Sequence, residues 1–185
     1  DGHTIMVINS THVIVPLMHR SVPYDALKDF TPVAALATSE LVLVLHPSVA
    51  NNLKEFIALA KSKPGQLNYA TGGSGNPTHL AAELLSILAG IKMQSIFYKG
   101  GGGPALVDLI GGQVQMSFLT PIAIIAHIKS GRIKAIAITG ETRSSALPQV
   151  PTFTEAGLPG MQARLWFGIL APAGTPKEII SKLST

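Results

Sequence analysis

Apolar and polar positions along the chain alternate between two textures, short β-prone runs and longer stretches with helical spacing. The run LVLVLH (41–46) predicts a buried strand. Asn52-Leu53-Lys54-Glu55 then has the form of a capping box, an N-cap with an acid three residues on, and opens a helix that Pro64-Gly65 ends. LNYAT (67–71) is the next strand, followed after a glycine turn by a helix from about Pro77 to Ala89. MQSIFY (93–98), a glycine run and PALVDLI (104–110) repeat the pattern, and QVQMSFL (113–119) with PIAIIAHIK (121–129) repeats it again. IKAIAIT (133–139) is a further strand. Strands spaced by helical segments of this length predict βαβ units, hence an α/β fold with a mostly parallel sheet and flanking helices.

Three strand-to-helix junctions share one form: Asn76-Pro77, Gly103-Pro104 and Thr120-Pro121. Proline suits a first helical position because the N–H it lacks would be unpaired there, and Asn, Gly and Thr are acceptable N-caps. In a parallel sheet such junctions share one edge, where helix N-termini carry partial positive charge and free N–H groups. Ligands of open α/β sheets bind at that rim, and an anion is the natural guest. The plainer reading, that proline merely starts helices well, stays open beside it. A side-chain cap at Asn76 would take one of the N–H groups offered to a ligand.

Charge and composition narrow the chemistry. The net charge of +4 reflects few acids, 10 against 14 Lys and Arg, with no dense basic run, so nucleic acid is not the expected partner. Cysteine is absent, which removes disulfides, thiol catalysis and cysteine-ligated metals. No apolar run reaches the ~18 residues of a membrane helix. The chain opens on DGHTIMVINS, which reads as a strand already under way and not as a signal peptide, so a fragment is expected.

Catalytic signatures fail one by one. A nucleophile elbow needs Gly-x-Ser-x-Gly, but Asn76 stands where the second glycine belongs, and neither His79 nor His127 sits in a triad arrangement. No Walker loop is present. A dinucleotide fingerprint fails at Thr78 after Gly73-Ser74-Gly75, and at Leu106 in the later glycine run. The closest acids, Asp25 and Asp29, lie in a polar loop beside prolines, and the histidines show no metal-binding spacing. No catalytic residue, metal or cofactor is expected. Lys99, after Tyr98 at a strand end, reads equally as a solvated lysine or as a cation that meets an anion beside a phenol. Trp166, in LWFGILAP, reads as core.

Several stretches together resemble the Bug family, the solute-binding proteins of tripartite tricarboxylate transporters. They are DGHT at the start, PYDALKDFTPVA (23–34), LNYATGGSGNPTHLAAELL (67–85), YKGGGGPALVDLIGGQVQ (98–115), HIKSGRIKAIAIT (127–139), LPQVPTFTEAGLPG (147–160) and WFGILAPAGTP (166–176). The resemblance covers essentially the whole chain in order. It implies a type II periplasmic-binding-protein fold: two α/β domains joined by crossing strands, a ligand clamped between them, and no catalysis. It also implies export to the periplasm, a small carboxylate as ligand, and the transporter's membrane permease subunits as partners.

Carried over residue by residue, the family's second-domain binding loop falls on Gly73, Ser74, Gly75, Asn76 and Thr78, its next turn on Tyr98, Lys99 and Gly100, and the one after on Leu119 and Thr120. A first-domain loop falls on Asn9, Ser10 and Thr11. Backbone N–H groups and hydroxyls there would hold a carboxylate, often with bridging water. Two departures stand out. Leu119-Thr120 replaces a polar Asp-Asn-like pair, which disfavours amino acids and favours plain carboxylates, and the glycine turn after Lys99 is one residue longer. The expected organisation is a partial first domain (1–39), a complete second domain (40–160), and a return segment to the first (161–185). By the resemblance, the family's opening strand with its proline/glycine-rich loop, and its closing helices, are expected to fall outside this sequence, and the unpaired sheet edge this would leave predicts a homo-oligomer. The alternatives are a ligand-sensing effector domain of a regulator or receptor, and, more remotely, an α/β hydrolase-like enzyme.

Overall fold

The computed structural model describes residues 3–184; the first two residues of the opening DGHT, and Thr185, lie outside the described part. Fourteen elements follow in chain order: β1 (Met6–Asn9), α1 (Thr11–Met18), β2 (Phe30–Glu40), β3 (Val42–Leu45), α2 (Leu53–Ser62), β4 (Asn68–Thr71), α3 (Pro77–Ala89), β5 (Gln94–Phe97), α4 (Gly102–Ile110), β6 (Met116–Leu119), α5 (Pro121–Lys129), β7 (Lys134–Ile138), β8 (Arg164–Pro172) and α6 (Lys177–Leu183). They form two compact units, one running up to Ser39 and resuming at Leu165, the other Glu40–Arg164.

The larger unit is built on a five-stranded sheet of order β5-β4-β6-β3-β7. β4 pairs parallel with β5 and β6, while β3 runs antiparallel to both β6 and β7. Four strands therefore point one way and β3 alone opposes them, so the expected mostly parallel sheet is mixed at its β3 ladders. The leucines and valines of LVLVL then sort by alternation. Leu41, Leu43 and Leu45 pack with Phe56, Tyr69, Leu85 and Phe118 in one cluster, whereas Val42 and Val44 pack with Ala70, Leu109, Leu119 and Ile124 in the other. Burial on both faces makes this strand the keel of the unit, and truncating Leu43 to Ala would cost about 2–5 kcal/mol.

Helix starts follow their capping chemistry. Asn52 caps α2 by accepting from the Glu55 amide at 2.9 Å, and Glu55 reaches back to the amide of Asn51 at 2.8 Å, a capping box displaced by one residue. Pro77 and Pro121 open α3 and α5 at the expected positions. At the third junction the expectation fails. Gly101, not Gly103, is the N-cap of α4, and Pro104 sits third in the helix, where its missing N–H still falls among the amides that lack an intrahelical acceptor.

The smaller unit holds a three-stranded sheet, β1-β8-β2, with β1 and β8 antiparallel. Trp166, expected in the core, is only half-buried on β8. Asp25 and Asp29 shape a turn: Asp29 accepts from the Asp25 amide at 2.7 Å, and Asp25 accepts from the amides of Leu27 and Lys28. Those backbone hydrogen bonds, led by that of Leu27, lower the Asp25 pKa.

Candidate functional site

Because β4, β5 and β6 run parallel, α3, α4 and α5 all begin at one edge of the sheet. Gly73, Ser74, Gly75, Asn76 and Thr78 form the turn from β4 into α3. Tyr98, Lys99 and Gly100 lead from β5 toward α4, and Leu119 and Thr120 join β6 to α5. These ten residues therefore share one rim. Asn9, Ser10 and Thr11 belong to the smaller unit. There the expected loop is a one-residue junction: Asn9 ends β1, Ser10 stands alone, and Thr11 starts α1.

The first two turns touch. A Cβ on Gly72 would stand 3.2 Å from the Cα of Gly101 and 3.3 Å from Asn76 Nδ2, and one on Gly102 would meet Leu119 Cδ2 at 3.2 Å. Gly101 also has φ +79° with ψ −140°, a conformation essentially reserved for glycine. Behind this contact lies a cavity of about 50 Å³, lined by Thr71, Gly72, Asn76, Thr78, Gly102, Ala105, Ser117, Phe118 and Leu119. It has room for a few waters or one carboxylate group, and none of its lining side chains is charged.

A donor inventory shows what the rim can offer. Asn76 Oδ1 accepts from the Thr78 amide and from the Thr78 hydroxyl, both at 3.0 Å. The Thr78 proton being so used, Thr71 is the donor in the 2.8 Å Thr71–Thr78 hydroxyl pair. Ser117 donates to the Ala70 carbonyl at 2.9 Å. All three hydroxyl protons are thus committed within the protein. The Asn76 amide goes to the Gly73 carbonyl at 3.3 Å, and that of Gly75 to His79 Nδ1 at 3.4 Å. Among the described residues, the amides of Gly73 and Ser74, the Asn76 side-chain NH₂ and the exposed Ser74 hydroxyl have no acceptor.

On the neighbouring turn the Tyr98 phenol donates to Asp108 at 2.7 Å, and desolvation, helped by that carboxylate, pushes its pKa up to about 12. The phenol is therefore committed to Asp108, which leaves the exposed Lys99 ammonium and the glycine backbone to face solvent. Leu119 is buried and contributes an aliphatic wall. Thr120 occupies the N-cap position of α5 without a capping hydrogen bond. In the smaller unit, Asn9 Oδ1 takes the Thr11 amide at 2.9 Å, while the buried Ser10 Oγ, Thr11 Oγ1 and His12 Nε2 have no partner among the described residues. No cluster of three metal-ligating side chains occurs among the described residues.

Sequence reasoning missed Thr71, Ser117 and His79. Ser117 left a signal: a polar residue in a strand buried on both faces must find a partner. His79 left none, because its partner is a backbone amide.

Solved proteins supply the class. Over 99% of its length the chain matches an R. palustris protein solved with adipate (TM-score 0.94, 32% identity, 62% of that chain) and MatC from Rhodopseudomonas palustris with bound malate (TM-score 0.90, 35% identity, 63% of that chain). The fold is that of solute-binding proteins. Sequence supplies the family: the model described as "Tripartite tricarboxylate transporter family receptor" (TctC) matches residues 1–185, and the chain belongs to this family of periplasmic binding proteins. It is 38% identical over 188 residues to Protein BugT of Bordetella pertussis, an alignment that covers 100% of this chain and 57% of BugT. The chain spans a little over half the length of the curated relatives it matches.

Proposed function

We propose that this chain is the ligand-binding part of a periplasmic receptor that captures a small carboxylate and hands it, without turnover, to the permease subunits of a tripartite tricarboxylate-type transporter. The observation that carries this reading is the unsatisfied donor set of the β4–α3 turn. Asn76, whose NH₂ is free, lines an uncharged cavity at two helix N-termini, and the free Gly73 and Ser74 amides belong to the turn that leads into it. Neutral, fixed donors at a helix start favour a carboxylate and oppose a cation. Ser74 acts as a donor, since His79 turns its Nδ1 to Gly75 and no base addresses the hydroxyl. Tyr98 and Gly100 shape the second turn, Lys99 adds long-range attraction, Gly75 and Thr78 hold the first turn, and Leu119 and Thr120 close the third. In the smaller unit, Asn9, Ser10 and Thr11 offer polar groups of their own, and the buried Ser10 and Thr11 hydroxyls have no partner among the described residues. We read 40–160 as the domain that carries this cradle, and 1–39 with 161–185 as parts of a second domain.

Relatives solved with adipate and malate support a dicarboxylate as the ligand class. Thermal-shift measurements against mono-, di- and tricarboxylates and amino acids test it. A concentration-dependent rise in Tm with a dicarboxylate, reduced in Ser74→Ala, is expected. A rise with amino acids alone would overturn the assignment.

The smaller unit presents exposed Val7, Leu17 and Leu27, and β1 and β2 lie at the edges of its sheet. This supports association with a second copy. Light scattering at micromolar concentration should give at least a dimer, and a monomer would contradict it.

A further inference from the structure

We propose that His79 is a positioning residue for the carboxylate turn: by accepting a hydrogen bond from the Gly75 amide, its imidazole holds the backbone in the shape that leaves the Gly73 and Ser74 amides free. The functional half of this statement rests on the carboxylate reading above; the hydrogen bond itself does not.

The geometry is local to α3. His79 is the third residue of the helix, and a helical side chain leans toward the N-terminus, so the ring lies back over the turn that feeds it. Nδ1 stands 3.4 Å from the Gly75 nitrogen, and no other acceptor among the described residues takes that amide. An amide N–H only donates, so Nδ1 must carry the lone pair and Nε2 the proton. Nε2 in turn faces Glu83 Oε1 at 4.0 Å, one helical turn on, and the same oxygen accepts from the Tyr69 phenol of β4. The ring stacks on Tyr69 and meets the edge of Phe97 at centroid distances of 6.3 and 5.4 Å, and its side chain is only 13% exposed. The flanking rings hold the orientation the Gly75 amide needs, and the hydrogen bond from that amide sets the tautomer. Gly75 is buried with φ +75°, so its amide direction fixes the turn that precedes it.

Amide hydrogen exchange in the ¹⁵N-labelled chain tests this without a ligand. His79→Asn places Oδ1 near the Nδ1 position and should keep Gly75 protected. His79→Leu should speed Gly75 exchange about tenfold while the Val44 and Ala70 amides stay unchanged, the loss expected for one hydrogen bond near the upper end of the usual range. Unchanged Gly75 exchange in His79→Leu would overturn the proposal. Should His79→Leu fail to fold, His79→Asn decides: Gly75 exchange as slow as in the wild type is expected, and fast exchange there would overturn the proposal. Malate titrations form the separate arm: weaker binding in His79→Leu than in His79→Asn is expected. If no form binds malate while the Gly75 results hold, the carboxylate reading falls and the positioning of the turn by His79 stands.

Discussion

The turns after β4 and β5 both carry the chain from a parallel strand to a helix N-terminus, yet side chains hold the first where glycine geometry holds the second. Around Gly72–Asn76 the Asn76 carboxamide and His79 accept from backbone amides, and the Thr71–Thr78 hydroxyl pair ties the strand end to the helix start. In the turn that begins at Tyr98, Gly100 and Gly101 at φ +95° and +79° make the bend, no side chain caps α4, and Lys99 stands exposed. A pre-shaped donor set loses little freedom when a ligand arrives, whereas a loose cation attracts from a distance without fixing geometry. On the carboxylate reading proposed above, the rim separates orientation, on one turn, from attraction, on the other.

That contrast predicts a ranking of substitutions. Gly101→Ala should be the most damaging, by about 1–3 kcal/mol in urea unfolding, because an alanine is forced into a conformation only glycine tolerates. Asn76→Ala should follow at about 1–2 kcal/mol, losing a helix cap and the acceptor of the Thr78 hydroxyl. Near-equal small losses at both positions would erase the distinction between the turns.

Tyr98→Phe should cost about 1 kcal/mol near neutral pH, measured the same way. It also carries a pH signature. The folded-state pKa of about 12 lies above the ordinary 10, so the contribution of Tyr98 is complete below pH 10 and is lost as pH rises toward 12. Stability in the wild type should fall over that window, and the fall should be shallower in the Phe variant. Lys99→Ala should have the smallest effect on stability, within about 0.5 kcal/mol. It should nonetheless weaken carboxylate binding and flatten the dependence of that binding on salt, which isothermal titration at two ionic strengths would read.

Much of the larger unit was legible in the sequence. The expected starts of α3 at Pro77 and of α5 at Pro121 match the structure, because proline suits the first helical position, whereas Pro104 sits third in α4. In the smaller unit β1 was legible in DGHTIMVINS, but α1 and β2 were opaque for physical reasons. α1 contains Pro16 and buries no residue, and β2, FTPVAALATSE, has neither alternation nor bulk to distinguish it from loop. At the rim, the place of the glycine turn between β4 and α3 was legible in the sequence. The commitments of its side chains were not: Asn76 to Thr78, Tyr98 to Asp108 and His79 to Gly75 depend on side-chain directions that spacing does not encode.

The central claim is that the free amides of the β4–α3 turn hold a carboxylate. Titrating malate into the ¹⁵N-labelled chain and following amide resonances tests it most directly. The Gly73 and Ser74 amides and the Asn76 side-chain NH₂ should show the largest, saturable shifts. Saturable shifts that leave those three groups unmoved, or no shifts at millimolar malate, would contradict it.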